Sequence, residues 1–234
     1  MVTTDITHDK QHRRERRKDA RPGELMDAAL SLFVEKGFAA TRVEEVAQRA
    51  GVSKGTLFLY FPSKVELFKA VVRDNIAGRF HEWNTTLEAF EGSTSELVHH
   101  TMQQWWERIG ATQASGITKL VMSEGAQFPE IAEFYRQEVI EPGNALIRRV
   151  LCRGVDSGEF RNVNLDYAIY SLISPMIFII MWKHSMAPCC PMGGVGQLPM
   201  DPMAFIASQA DILLNGLTAC PGRPGADASV PTPA

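Results

Sequence analysis

Apolar residues return every three or four positions along most of this chain, and no alternating strand pattern persists. Leu25, Ala29, Leu32 and Phe33 share one face of a helix that stops at Gly37. Val43, Val46, Ala47 and Ala50 share a face of the next, which opens on Thr41 and Glu44 as a capping box and stops at Gly51. Ser53 caps a third, very short helix that Pro62 ends. Ser63 and Glu66 form another capping box, and a longer helix follows. The tight turn "AGVS" forces the second and third helices to cross steeply, as in a helix-turn-helix. In that unit the second helix lies in the DNA major groove and the first crosses the backbone. The short piece then packs Val52, Leu57 and Phe61 inward and leaves Lys54, Thr56, Phe58 and Tyr60 outside.

Behind this head, Glu91-Gly92-Ser93 makes a break. The helical period resumes over 95–109, with Leu97, Met102, Trp105, Trp106 and Ile109, and again over 116–124. Residues 129–157 form a long helical stretch expected to bend at Pro142-Gly143. Residues 165–183 are strongly apolar, and "HSMAPCCPMGGVGQLPM" is a loop. Asp201 caps and Pro202 opens a last helix with Met203, Ile206, Ala210, Leu213, Leu214 and Leu217 on one side. The pattern defines an all-α chain. It has a three-helix head over 21–68 and a helical body over 69–217. A flexible basic arm (1–20) and a disordered Pro/Ala/Gly-rich tail (218–234) flank them.

Charge sharpens this division. The chain of 234 residues carries a net charge of only −3. Residues 1–74, however, hold 14 Lys+Arg against 11 Asp+Glu, and the remainder 10 against 16. A basic front on an acidic body suits contact with a polyanion at one end. The segment "KQHRRERRKDAR" carries seven Lys/Arg against two acids, the make-up of either a solubilising tail or an arm that follows phosphates.

The remaining chemistry narrows the function by exclusion. Cys152, Cys189, Cys190 and Cys220 form no C-x-x-C pair, and the start lacks the apolar core of a secretory signal. The run from Ala168 to Trp182 is shorter than the ~20 residues a spanning helix needs and is interrupted by Pro175, so it reads as a buried helix. His99 and His100, ~100° apart on a helix, do not converge on a metal. No G-x-S-x-G, H-E-x-x-H or phosphate loop is present, so no enzyme, cofactor or metal is expected. These features point to a cytoplasmic protein with no membrane partner.

The stretch "GFAATRVEEVAQRAGVSKGTLFLYFPSKVELFKAVV", Gly37 to Val72, resembles the TetR family of transcription regulators. It carries Gly-aromatic, Thr, a helix ending in Ala-Gly-Val-Ser, then Gly-x-x-aromatic-x-aromatic-Phe and Ser-Lys. "FPEIAEFYRQEV" is similar to a stretch of the family's drug-efflux-regulator branch. The resemblance implies a homodimer whose heads each read half of a near-palindromic double-stranded operator, and whose bodies bind a small molecule that releases the DNA. It carries phosphate and base contacts onto Thr41, Arg42, Lys54, Gly55, Thr56, Tyr60 and Lys64. Phe58 stands where the family usually has Tyr. It keeps an apolar contact to a thymine methyl and loses a hydroxyl donor.

In the body, Met102, Trp105, Trp106, Phe128, Phe134, Tyr135 and Met176 are the candidates to line an effector pocket, with plain core packing as the competing assignment for each. Such a lining suits a lipophilic compound. A cationic centre could rest on a Trp face or against Glu124 or Glu138. Ile169, Ile173, Ile177, Leu213 and Leu217 are candidates for a four-helix dimer interface. Two alternatives stay open beside a ligand-released repressor: an effector-independent DNA-binding regulator or activator, and a helical enzyme or carrier.

Overall fold

A computed structural model describes residues 5–187, 189 and 201–217, with side chains from Pro22 onward. The expected tail at 218–234 and most of the loop before Asp201 lie outside the described residues. Among the described residues the fold is helical and has no β-strand.

α1 (Asp5–Ala40) begins well inside the segment expected to be a flexible arm. That segment is rich in Arg and Lys, which are good helix formers even without an apolar stripe. Gly37 breaks α1 as expected, with φ 83°, a left-handed geometry that favours glycine. α2 (Val43–Arg49) starts one position later than the sequence suggests. Its N-cap is Arg42, and Glu45 rather than Glu44 reaches back to the Arg42 N–H at 3.4 Å. Gly51, at φ 66°, makes the turn, and Val52 N–H closes it on the Ala47 carbonyl at 2.9 Å. α3 (Lys54–Tyr60) and α4 (Lys64–Asn75) are capped by Ser53 and Ser63, whose hydroxyls accept from Thr56 N–H and Glu66 N–H. The helix expected to run on from Ser63 ends at Ile76. A 3₁₀ turn (Ala77–Arg79) separates it from α5 (Phe80–Ala89).

Ser93 and Glu96 close a capping box at the start of α6 (Thr94–Trp105). α7 (Ser115–Glu124) and α8 (Pro129–Tyr135) follow. The helical stretch from Pro129 does not break at Pro142. A π-helical turn (Arg136–Ile140) precedes it, and Pro142 falls in the first turn of α9 (Glu141–Asp156), where its missing N–H costs least. α10 (Leu165–Met181) continues through the buried Pro175 and into a π-helical turn (Trp182–Met186), like those at Trp106–Gly110 and Arg136–Ile140. With that extension it spans 22 residues and is long and apolar enough to cross a membrane by length and composition, contrary to the shorter run read from the sequence. Here it packs on α7, α9 and α11 (Pro202–Leu217) as the central helix of the body.

Two cores result. The first joins α1–α4 to α7 and α8 through Leu25, Phe33, Phe68, Ile117, Leu120 and Ile131. In it the rings of Phe33, Phe38 and Phe68 meet at centroid distances of 5.6–5.7 Å. Such aromatic contacts add about 0.5–1.5 kcal/mol per pair beyond area burial. The second core joins α6, α9, α10 and α11 through Leu97, Leu151, Leu172, Ile179 and Ala210. Trp83 and Trp105 pack against both. Because α10 is apolar nearly all round, its period could not say which side faces out. Ile169 and Leu217, expected at a dimer interface, point inward, and Ile173 and Ile177 face a cavity. The exposed apolar residues on these helices are Tyr167, Tyr170, Phe178 and Ile212.

Candidate nucleic-acid interface and ligand cavity

The head presents one polar face at the α2 and α3 N-termini. Arg42 is exposed and enters none of the ion pairs formed among the described residues. At an N-cap, beside backbone N–H groups, its guanidinium is a ready fork for a phosphate or a guanine edge. Lys54 bonds Glu44 at 2.6 Å and stands 5.7 Å from the centre of the Phe58 ring. That ion pair ties α2 to α3 and draws the Glu44 carboxyl below its usual pKa, chiefly through the Lys54 bond. Gly55 is exposed beside it, and the Thr56 hydroxyl shares a 2.9 Å hydrogen bond with Ser53. Phe58 lies out on the same helix, while Tyr60 is half-buried against the first core.

Two of the candidates face inward. Thr41 is 1% exposed, and its hydroxyl donates to the carbonyls of Leu32 and Gly37 at 3.2 and 2.7 Å. Lys64 donates to three carbonyls, those of Phe38, Ala39 and Thr41, at 2.7, 3.3 and 3.0 Å. Burial lowers the Lys64 pKa, opposed by the charge of Glu124. In the free chain these two side chains fasten the end of α1 and so set the position of Arg42. The sequence reading passed over Leu59. It is 83% exposed on α3. A leucine within a reading helix that has already spent Leu57 and Phe61 on the core was the available signal.

Below the head, between the two cores, lies a cavity of about 640 Å³. α10 supplies Tyr170, Ile173, Ser174, Met176, Ile177 and Phe178 to its wall. α7 adds Thr118, Val121 and Met122, and the π turn before α9 adds Val139 and Ile140. Phe80, Trp83, Trp105 and Tyr135 add aromatic faces. Among the described residues none that lines it is charged; Thr101, Asn144 and a few hydroxyls are its polar groups. The Tyr135 phenol bonds Thr118 at 2.9 Å, and burial pushes its pKa up to about 12, so it stays neutral.

Of the residues expected to line this cavity, Trp105, Tyr135 and Met176 do so. Four others do not. Met102 and Trp106 are buried in the second core and do not reach the cavity wall. Phe128 meets the Phe38 ring at 5.0 Å, and Phe134 carries Arg73 over its face at 4.9 Å. Glu138 pairs with Arg73 at 2.8 Å, and Glu124 bonds backbone amides of the head; neither lines the cavity. Among the described residues no group of His, Cys, Asp and Glu is arranged to hold a metal.

Comparison with known proteins agrees with this architecture. Residues 25–71 match the family described as bacterial regulatory proteins, tetR family, and residues 91–188 match the tetracyclin repressor-like C-terminal domain. The chain belongs to the TetR family of helix-turn-helix transcription regulators, DNA-binding proteins that are commonly repressors. It is 26% identical over 176 residues to the transcriptional repressor KstR2 of Mycobacterium tuberculosis, covering 73% of this chain and 84% of that one. Its fold superposes on a transcriptional regulator from Saccharomonospora viridis in complex with choline, with a TM-score of 0.67 at 17% identity over 87% of this chain and 100% of that one. The fold also superposes on FadR from Bacillus subtilis in complex with stearoyl-CoA, with a TM-score of 0.58 at 16% identity over 83% and 98% of the two chains.

Proposed function

We propose that this chain is a ligand-released repressor that binds a near-palindromic operator as a cytoplasmic homodimer. The observation that carries the reading is the uncharged cavity of about 640 Å³ set directly beneath a helix-turn-helix head and sharing α7 with the head's core. Arg42, Lys54, Gly55, Thr56, Phe58 and Tyr60 present the reading face, with Leu59 added to it; Thr41 and Lys64 hold that face in place. The effector is an uncharged lipophile. FadR holds stearoyl-CoA in a related fold, but here, among the described residues, no basic side chain lines the wall to neutralise a phosphate or carboxylate. Aromatic faces and methionine sulfur favour a polarisable molecule of adaptable shape. The choline-bound relative holds a cation; in this cavity only ring faces could meet one, and no carboxylate does. For the dimer, α10 and α11 offer Tyr167, Phe178 and Ile212 to a partner's same helices about a two-fold axis.

The test is a mobility shift with a duplex selected by the full-length chain from random sequence, repeated with a panel of neutral, anionic and cationic lipophiles. Neutral compounds are expected to lift the protein off the duplex at concentrations where anionic ones do not. A stable shift that no compound changes favours an effector-independent regulator, and failure to select any duplex overturns DNA reading by this head.

A further inference from the structure

α7 connects the cavity to the head. Thr118, Val121 and Met122 stand in the cavity wall, and the helix ends at Glu124. The Glu124 carboxylate accepts from Phe38 N–H at 3.1 Å and from Ala39 N–H at 2.8 Å. These are the residues just after the Gly37 break, where α1 turns into α2. From the other side the Lys64 ammonium takes the carbonyls of Phe38, Ala39 and Thr41. The peptide groups of this junction are thus gripped between a carboxylate of the body and an ammonium of α4. Glycine at 37 meets the positive φ, and a Cβ there would push the Glu124 carboxylate out of its present place. At its other end α7 lies close on α1, where a Cβ on Gly116 would come within 2.7 Å of both Val34 methyls. A shift of this helix therefore bears on contacts with α1 at both of its ends.

We infer that Glu124 is the positioning residue through which cavity occupancy reaches the DNA-reading helices. This rests on the ligand-release reading above and names the contact that performs it. A ligand pressing on Val121 and Met122 displaces the end of α7, the two amides lose their acceptor, and α2 with Arg42 loses its fixed approach to the duplex. Only a difference in ligand affinity between the gripped and released states drives the change, so the two binding events weaken each other by one common factor.

Nile red, a neutral dye that fluoresces in apolar surroundings, is the probe, titrated into the full-length chain with and without the selected duplex. In the wild type the duplex is expected to weaken Nile red binding roughly tenfold, within the usual range of such couplings. Glu124→Ala, which has no such bonds for the ligand to break, is expected to bind the dye more tightly than the wild type, with the factor cut to about twofold or less; Glu124→Gln, which keeps one acceptor oxygen, falls between. A factor in Glu124→Ala equal to that of the wild type overturns the inference and leaves ligand release standing. Independent binding of dye and duplex in the wild type overturns ligand release itself. A dye-free measurement stands beside these: amide hydrogen exchange of the free protein. Faster exchange in Glu124→Ala that spreads from Phe38 and Ala39 through α2 and α3 supports the inference. Acceleration confined to those two amides, or none, overturns it.

Discussion

The ammonium of Lys64 lies 2.7 Å from the carbonyl oxygen of Phe38 and 4.4 Å from the centre of the same residue's ring. One side chain therefore holds both the backbone and the aromatic face of the residue that follows the Gly37 break. Lys64→Met keeps the apolar stem and removes the charge. It is expected to cost about 1–3 kcal/mol of stability, the range for bonds to a charged donor. It should also weaken duplex binding without reducing the salt dependence that a true phosphate contact would carry. Urea denaturation and a salt titration of binding separate these outcomes. A salt slope reduced by about one would return Lys64 to the phosphate contacts.

On the reading face, Arg42→Ala is expected to lose about 1–3 kcal/mol of specific binding if its fork engages a base. Leu59→Ala should leave affinity for unrelated duplexes unchanged and remove a preference for thymine at one position. Replacing that thymine by uracil, which deletes only the methyl group, should then weaken the wild type and not the variant. If uracil is tolerated equally by both, Leu59 does not read the methyl.

Fluorescence distinguishes two neighbouring tryptophans. Trp105 lines the cavity and Trp106 does not. A bound lipophile should change emission in Trp106→Phe much as in the wild type. The change should shrink in Trp105→Phe and vanish when Trp83 is replaced as well. Loss of the signal in Trp106→Phe alone would relocate the site.

His184 gives stability a pH dependence. Its Nε2 bonds the Ser115 hydroxyl at 2.8 Å. Burial first, then the charges of Lys183 and Lys119, lower its pKa from 6.5 to about 4. Between those values the unfolded chain takes up the proton and the folded chain does not. The stability its neutral ring provides is thus complete above pH 6.5 and is lost as pH falls towards 4. The urea midpoint of the wild type should drop across this window more steeply than that of His184→Gln. Parallel curves would contradict this.

For assembly, Ile212 is 61% exposed on α11, whereas Leu213 is half-buried beside it. Ile212→Glu should yield folded monomers by sedimentation, with the helical circular dichroism intact. Leu213→Glu should lower the melting temperature as well. A dimer unaffected by Ile212→Glu would place the interface elsewhere.

The head was legible because its signals are local. Gly37, Gly51, Ser53, Pro62 and Ser63 each act within a few residues, and the structure puts a turn or a cap at all of them. The body was legible as helices but less so as a site. Trp105, the last residue of α6, and Trp106, the first of the π-helical turn after it, look alike in sequence, and only their ~100° separation sends one to the cavity and the other away from it. Thr41 and Lys64 have composition suited to a DNA contact, yet their polar groups answer carbonyls left open at the end of α1. Glu124 gave no hint of its role, because its partners are backbone amides 85 and 86 residues earlier. Contacts with peptide groups leave no trace in side-chain pattern.

The π-helical turn at Arg136–Ile140 stores the equivalent of one extra residue within a run of helix. Val139 and Ile140, both in the cavity wall, owe their direction to that surplus. Deleting a single residue there would restore an ordinary α-helical register. Because the bulge absorbs that residue, the helices on either side would keep their phase, and only the side chains within the turn would change direction. Loss of one codon would thus re-aim part of the cavity wall in one step where point substitution would need several.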